Sequence, residues 1–275
     1  MVRFPWNFRV FRGSVVRSCF VAIVVGCSSA TATNEPPTRS LLFIGNSLTY
    51  TNDLPGMLAN LVIATGDSVL VAMAAGPNLA LIDHTNGATD AVAQIDRGRW
   101  SFVLLQQGPT PAGVCRDTLI IAAMRLAPHI RAAGARAALF LPWPPQGSPK
   151  SLKFASQSTV LAARAVGGIV VPVGTAWNNA LNADPGAPLY SGDGYHPAPT
   201  GTLLAALIIY DRLFGRDVRS VPPESLLKRL TMPLTSERVR ALEAAAHRAS
   251  QEQPNDPSTP VPADTTVVSS GGGPC

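Results

Sequence analysis

The chain has 275 residues, 46% of them hydrophobic and 14% charged, with a formal net charge of +5. That length leaves room for one well-packed domain and not for a second. Many of the arginines lie near the N-terminus and no basic stripe is interleaved with aromatics, so a nucleic-acid partner is not expected.

The chain begins with Arg3, Arg9, Arg12 and Arg17 ahead of a short apolar run at 19–26. The run is too short to span a bilayer as a stable helix, and its layout is that of a secretory signal peptide. It ends in Val24-Val25-Gly26-Cys27-Ser28-Ser29, which resembles the bacterial lipobox, where cleavage before the cysteine follows its thioether lipidation. The reading is therefore a signal peptide at 1–26, a lipid anchor on Cys27 and a flexible tether at 27–39, holding a monomer at a membrane of the bacterial cell envelope. An ordinary secretory signal cleaved near Ala30 or Ala32, with a secreted or periplasmic product, is the alternative. Of the four cysteines, Cys115 and Cys275 then remain as thiols, with neither metal nor redox spacing. A terminal cysteine beyond a flexible tail is a poor anchor, so no disulfide is expected between them.

From residue 41 onward, short apolar runs alternate with longer amphipathic stretches. Strand-like runs at 41–44, 69–73, 102–105, 137–141 and 169–173 are separated by helical patterns at 54–65, 89–97, 118–133 and 152–166, and a last helix is expected at 200–214. Four or five apolar residues without alternation suit strands buried on both faces. The order predicts an α/β domain at 40–218, a doubly wound, flavodoxin-like parallel five-stranded sheet with helices on both faces. Residues 219–253 read as a peripheral helical extension. The Pro-, Ser-, Thr- and Gly-rich stretch 254–275 cannot bury a core and is expected to be disordered.

Two loop-edge motifs carry the chemistry. Gly45-Asn46-Ser47-Leu48 stops the first apolar run, and Asp193-Gly194-Tyr195-His196 precedes the last helix. A serine hydroxyl is a weak nucleophile at neutral pH and needs an imidazole to take its proton, and a carboxylate to hold that imidazole in the correct tautomer. Ser47, His196 and Asp193 are the residue types for those three roles. The paired motifs, in this order, resemble the SGNH or GDSL-like esterases and lipases over roughly 41–214. That resemblance implies a serine esterase acting on a short-chain or carbohydrate O-acyl ester, with Ser47, Asp193 and His196 catalytic. A glycan-binding protein without activity on the same fold, or an O-acyltransferase, is the alternative.

The resemblance implies an oxyanion hole as well. Its second block contributes a glycine N–H, matched here by Gly76 in Ala75-Gly76-Pro77-Asn78, with the Ser47 N–H beside it. Its third block supplies an Asn side chain, but the third strand here runs into Gln106-Gln107-Gly108-Pro109-Thr110 with no Asn. Gln107 is the favoured donor, with Gln106 and Thr110 behind it; otherwise both Gln side chains bond neighbouring loops and backbone N–H groups serve alone. His84 reads as a surface residue beside the second block. No His/Cys/Asp spacing suggests a metal, and no phosphate loop or cofactor motif is present, so neither metal nor cofactor is expected.

Overall fold

The computed structural model describes residues 9–10, 39–109 and 114–253. The lipobox-like Cys27, the tether and the C-terminal tail lie outside them. Five parallel strands form the sheet: β2 (Arg39–Gly45), β3 (Val69–Ala75), β4 (Phe102–Gln106), β5 (Arg136–Phe140) and β6 (Ile169–Val171). Their spatial order is β3-β2-β4-β5-β6, the doubly wound order with its switch between the first strand and its two neighbours. A two-residue segment, β1 (Arg9–Val10), pairs antiparallel with β3 at the outer edge, an addition to the expected sheet.

Why the strands read as unbroken apolar runs is visible in β2. Leu41 and Phe43 join one buried cluster while Leu42 and Ile44 join the other, because successive side chains leave a strand on opposite faces. Helices α2 (Leu54–Ala64), α7 (Val173–Ala183), α8 (Pro199–Tyr210) and α10 (Ser236–Glu252) cover the first face. On the second lie α3 (Leu81–Thr85), α4 (Ala91–Arg97), α5 (Val114–Ala132) and α6 (Leu152–Val166). Every residue of α8 after Pro199 is buried, as a helix that is apolar nearly all round must be.

Three expectations change. The segment after β6 turns at Pro172 into α7, so the strand stops two residues early and an unforeseen helix follows. Residues 219–253 are integral, not peripheral: Val239, Leu242, Ala246 and Ala249 of α10 lie in the first core, against α7 and α8. Burying each such Leu or Val contributes about 1.5–3 kcal/mol, so this helix completes the domain. Cys115, expected as a free thiol, is disulfide-bonded; Cys275 lies outside the described residues. Among the described residues no helix is long and apolar enough to cross a membrane.

Candidate active site

The site lies beyond the carboxyl ends of β2 and β4. Gly45 ends β2, and the chain turns at once into α1 (Ser47–Tyr50) with Asn46 as its cap. Asn46 Oδ1 accepts from Leu48 N at 3.1 Å and its carbonyl from Thr49 N at 2.9 Å, while its Nδ2 donates to the Leu79 carbonyl at 3.0 Å. The Asn of the motif is therefore a scaffold residue that ties the turn to the loop after β3. Gly45 has to lack a side chain, because a Cβ there would overlap Gln106 Oε1 and Thr49 Oγ1. Ser47 opens α1, where its own N–H has no acceptor within the helix.

Asp193 and His196 sit on a loop leading into α8. Asp193 Oδ1 accepts from the backbone N–H groups of Tyr195 and His196, both at 2.9 Å, and from Ser191 Oγ at 2.8 Å. Gly194 takes the left-handed φ of +67° that this tight turn requires. Asp193 Oδ2 meets His196 Nδ1 at 2.6 Å, and His196 Nε2 meets Ser47 Oγ at 2.9 Å. A carboxylate can only accept, so Nδ1 carries the proton and Nε2 is left to accept from the Ser47 hydroxyl. The bond from His196 first, then the Tyr195 N–H, the Ser191 hydroxyl and the His196 N–H, hold the Asp193 carboxyl well below the usual carboxylate range. It is thus anionic at neutral pH.

The loop is fastened from behind. Trp143 Nε1 donates to the Tyr195 carbonyl at 3.0 Å, Gln146 N to the Gly194 carbonyl at 2.9 Å, and Tyr190 Oη to the Pro144 carbonyl at 2.7 Å. Trp143 is stacked on Trp177 with ring centroids 4.1 Å apart, and Tyr190 meets Trp177 edge-on. A rigid aromatic column thereby carries the loop that bears His196.

The expected oxyanion donors fare differently. Gly76 N–H is taken by the Gly45 carbonyl at 3.3 Å, where the β2/β3 pairing runs out, and so is not an unspent donor. Gln107, the favoured side chain, is spent too: its Oε1 accepts from Leu81 N and its Nε2 donates to the Cys115 carbonyl, both at 3.2 Å. It braces α3 against α5. Gln106 points into the nucleophile turn instead, its Oε1 accepting from Asn46 N at 2.9 Å and from Thr49 Oγ1 at 2.8 Å. Those two donors fix which end of the amide is oxygen, and among the described residues the buried Nε2 has no hydrogen-bond partner. Thr110 and Cys27 lie outside the described residues.

Sequence reasoning misplaced His84, which is 1% exposed and bonded to Gly45. It also missed Asn52 and Trp143, since nothing in their local sequence marks a polar contact 52 or 145 residues away. Among the described residues the one grouping with metal-ligand chemistry is Asp211, Asp217 and His247, in a different part of the chain, where both carboxylates already meet the His247 ring and Asp217 also pairs with Arg219.

No protein-family profile and no curated protein matches this chain. Solved structures do. A DUF4886 family protein from Bacteroides uniformis superposes with a TM-score of 0.64 at 21% identity, over 78% of this chain and 95% of that one. A candidate SGNH hydrolase from Slackia heliotrinireducens superposes with a TM-score of 0.55 at 25% identity, over 64% of this chain and 98% of the other.

Proposed function

This chain is SGNH/GDSL-like in fold, and on that premise we propose that it is a serine hydrolase that cleaves a carboxylic ester with Ser47, His196 and Asp193. The observation that carries the reading is the unbroken hydrogen-bonded line from Asp193 Oδ2 through both nitrogens of His196 to Ser47 Oγ. Ser47 Oγ attacks the ester carbonyl carbon as His196 Nε2 takes its proton, giving a tetrahedral intermediate whose oxygen carries the charge. Collapse breaks the bond to the leaving alcohol, which receives that proton from His196, and leaves an acyl group on Ser47. Water then attacks the acyl carbon with His196 again as base, releasing the acid and restoring the serine. Asp193 stays ionised throughout and stabilises the imidazolium.

For the oxyanion the reading uses the Ser47 N–H, the first-turn donor of α1 without a helical acceptor, together with Gln106 Nε2. Leu48 N and Thr49 N are already committed to Asn46. Gln106 replaces Gln107 here because its donor is unspent and its oxygen is locked to the same turn that bears Ser47.

The substrate we assign is a short-chain or carbohydrate O-acyl ester. Among the described residues the large exposed apolar side chains are Tyr50, Met73, Ile121 and Met124, and only Tyr50 belongs to the Ser47 helix. A long acyl chain would need a wider apolar surface beside the nucleophile. We further propose that Cys27 is lipidated and holds the enzyme at the cell envelope, a reading supported by the arginine-flanked apolar run before it.

The test is a series of p-nitrophenyl esters of rising acyl length and an acetylated oligosaccharide, with fluorophosphonate labelling of Ser47. Turnover that falls with acyl length, and a label lost in Ser47→Ala, are expected. Wild-type protein that neither turns over any ester nor takes the label is not a serine hydrolase. Acyl transfer to a sugar that outpaces release of the acid would make it a transferase.

A further inference from the structure

We propose that His84 is a positioning residue for Ser47, holding the peptide that precedes the nucleophile turn; the proposal rests on the hydrolase reading above. His84 Nε2 lies 3.1 Å from the Gly45 carbonyl oxygen, and its Nδ1 lies 2.7 Å from Thr89 Oγ1. The carbonyl is an acceptor only, so Nε2 carries the proton and Nδ1 accepts from the Thr89 hydroxyl. Both nitrogens are satisfied by the neutral ring, and neither is left to act as a base.

What this bond fixes is a single peptide unit. The Gly45–Asn46 peptide is held at its oxygen by His84 and at its N–H by Gln106 Oε1, at 2.9 Å. A peptide plane held at both ends cannot rotate, and the next residue is Ser47. Without the imidazole the carbonyl would keep only the Gly76 N–H at 3.3 Å, near the long limit of such bonds. The plane could then tilt toward a better donor and carry Ser47 Oγ away from its 2.9 Å contact with His196. Displacements of about 1 Å in a reacting group cost on the order of 10²-fold in rate.

Burial is the cost the protein bears for this bond. His84 sits almost wholly inside, and desolvation lowers its pKa from the ordinary 6.5, against the smaller opposing effects of the Gly45 carbonyl and Asp83. An apolar side chain would be the cheaper way to fill the space. An imidazole makes sense here for its N–H.

The experiment uses the full-length protein and its His84→Gln, His84→Asn and His84→Leu variants. A Gln amide reaches the place of Nε2, whereas an Asn amide falls nearer Nδ1, so the pair separates the bond to Gly45 from that to Thr89. Three quantities are compared: the rate of fluorophosphonate labelling of Ser47, kcat and KM for p-nitrophenyl acetate, and hydrogen exchange of the Asn46 amide. His84→Asn and His84→Leu should label about 10- to 100-fold more slowly with KM changed less than about twofold, and exchange Asn46 faster. His84→Gln should stay within about threefold of wild type on every count. If the Leu variant fails to fold, the Gln and Asn pair decides alone. Equal labelling of wild type and His84→Asn, or Gln and Asn variants impaired alike in step with their melting temperatures, overturns the proposal while the hydrolase reading stands. A wild type that takes no label overturns the hydrolase reading itself, and the proposal with it.

Discussion

Asn52 donates its side-chain amide to the carbonyl of Pro197 at 2.9 Å, bridging the segment that follows Ser47 to the residue that follows His196. Its second hydrogen goes to Thr202 Oγ1, also at 2.9 Å. Asn52 makes both bonds from a left-handed backbone, φ 56°, and Asp53 after it is left-handed as well. Two such non-glycine residues in succession cost of order 1–3 kcal/mol each and persist only where their surroundings impose them. The two halves of the reacting line, which the chain supplies 149 residues apart, are thus stitched at the backbone as well as at Ser47 Oγ and His196 Nε2.

Asn52→Gly tests that stitch without the strain, because glycine accepts the positive φ but makes neither bond. We expect kcat to fall by about 10-fold or more with KM little changed. Asn52→Ala should lower the melting temperature further than Asn52→Gly, since it adds strain to the lost bonds. A Gly variant with wild-type kcat would remove Asn52 from the positioning of His196.

Ser47→Ala and His196→Ala should each reduce turnover by on the order of 10⁴-fold or more, with nearly unchanged thermal melts. Asp193→Ala should keep more activity than either, since the imidazole still acts as a base when poorly oriented. Steady-state kinetics with active-site titration reads all three.

For the oxyanion, Gln106→Glu keeps the oxygen that Asn46 N and Thr49 Oγ1 use and removes the N–H. A loss of about 10²–10³-fold in kcat is expected. Gln107→Leu should instead lower stability and leave kcat close to wild type, because that amide is spent on Leu81 and Cys115. The opposite pattern would return the role to Gln107.

Trp143→Phe keeps an aromatic ring against Trp177 and loses the N–H held by the Tyr195 carbonyl. We expect kcat to drop by about 10-fold, with the melting temperature lowered by only a few degrees. Unchanged kcat would mean that the Asx turn around Asp193 suffices to place His196.

Two buried groups bend the pH dependence of stability in opposite directions. His84 has a lowered folded pKa, so below 6.5 the unfolded chain binds a proton that the fold refuses, and stability falls as pH drops. Glu243, wholly buried with Oε2 on Arg240 and Oε1 without a partner among the described residues, is pushed up from 4.5 to about 7 by desolvation. Its fold holds a proton that the unfolded chain releases, so that contribution is present below 4.5 and is lost as pH rises through about 7. Glu243→Gln should therefore raise the melting temperature by roughly 2–4 °C at pH 8 and by much less at pH 5, as calorimetry would read.

What the sequence by itself determined was the order of the five parallel strands and of most helices between them, the α/β class and the candidate triad Ser47, Asp193 and His196. Each is a local signal: unbroken apolar runs of only four or five residues suit strands buried on both faces, and Asp193 and His196 lie close enough in sequence to share one turn. The oxyanion donor was not local. Gln106 and Gln107 are adjacent and chemically identical, and only the side of the sheet edge each amide meets, the Asn46 turn or the α3–α5 junction, separates their roles. The same holds for α10, whose amphipathic pattern announces a helix but not the α7 and α8 surface that makes it part of the core. His84 is the clearest case: an imidazole beside Asp83 reads as solvated until the packing of α3 brings it to the Gly45 carbonyl, 39 residues back along the chain. Tertiary contacts decide such roles because a buried polar group takes its function from the partner that satisfies it, and that partner is not its neighbour in sequence.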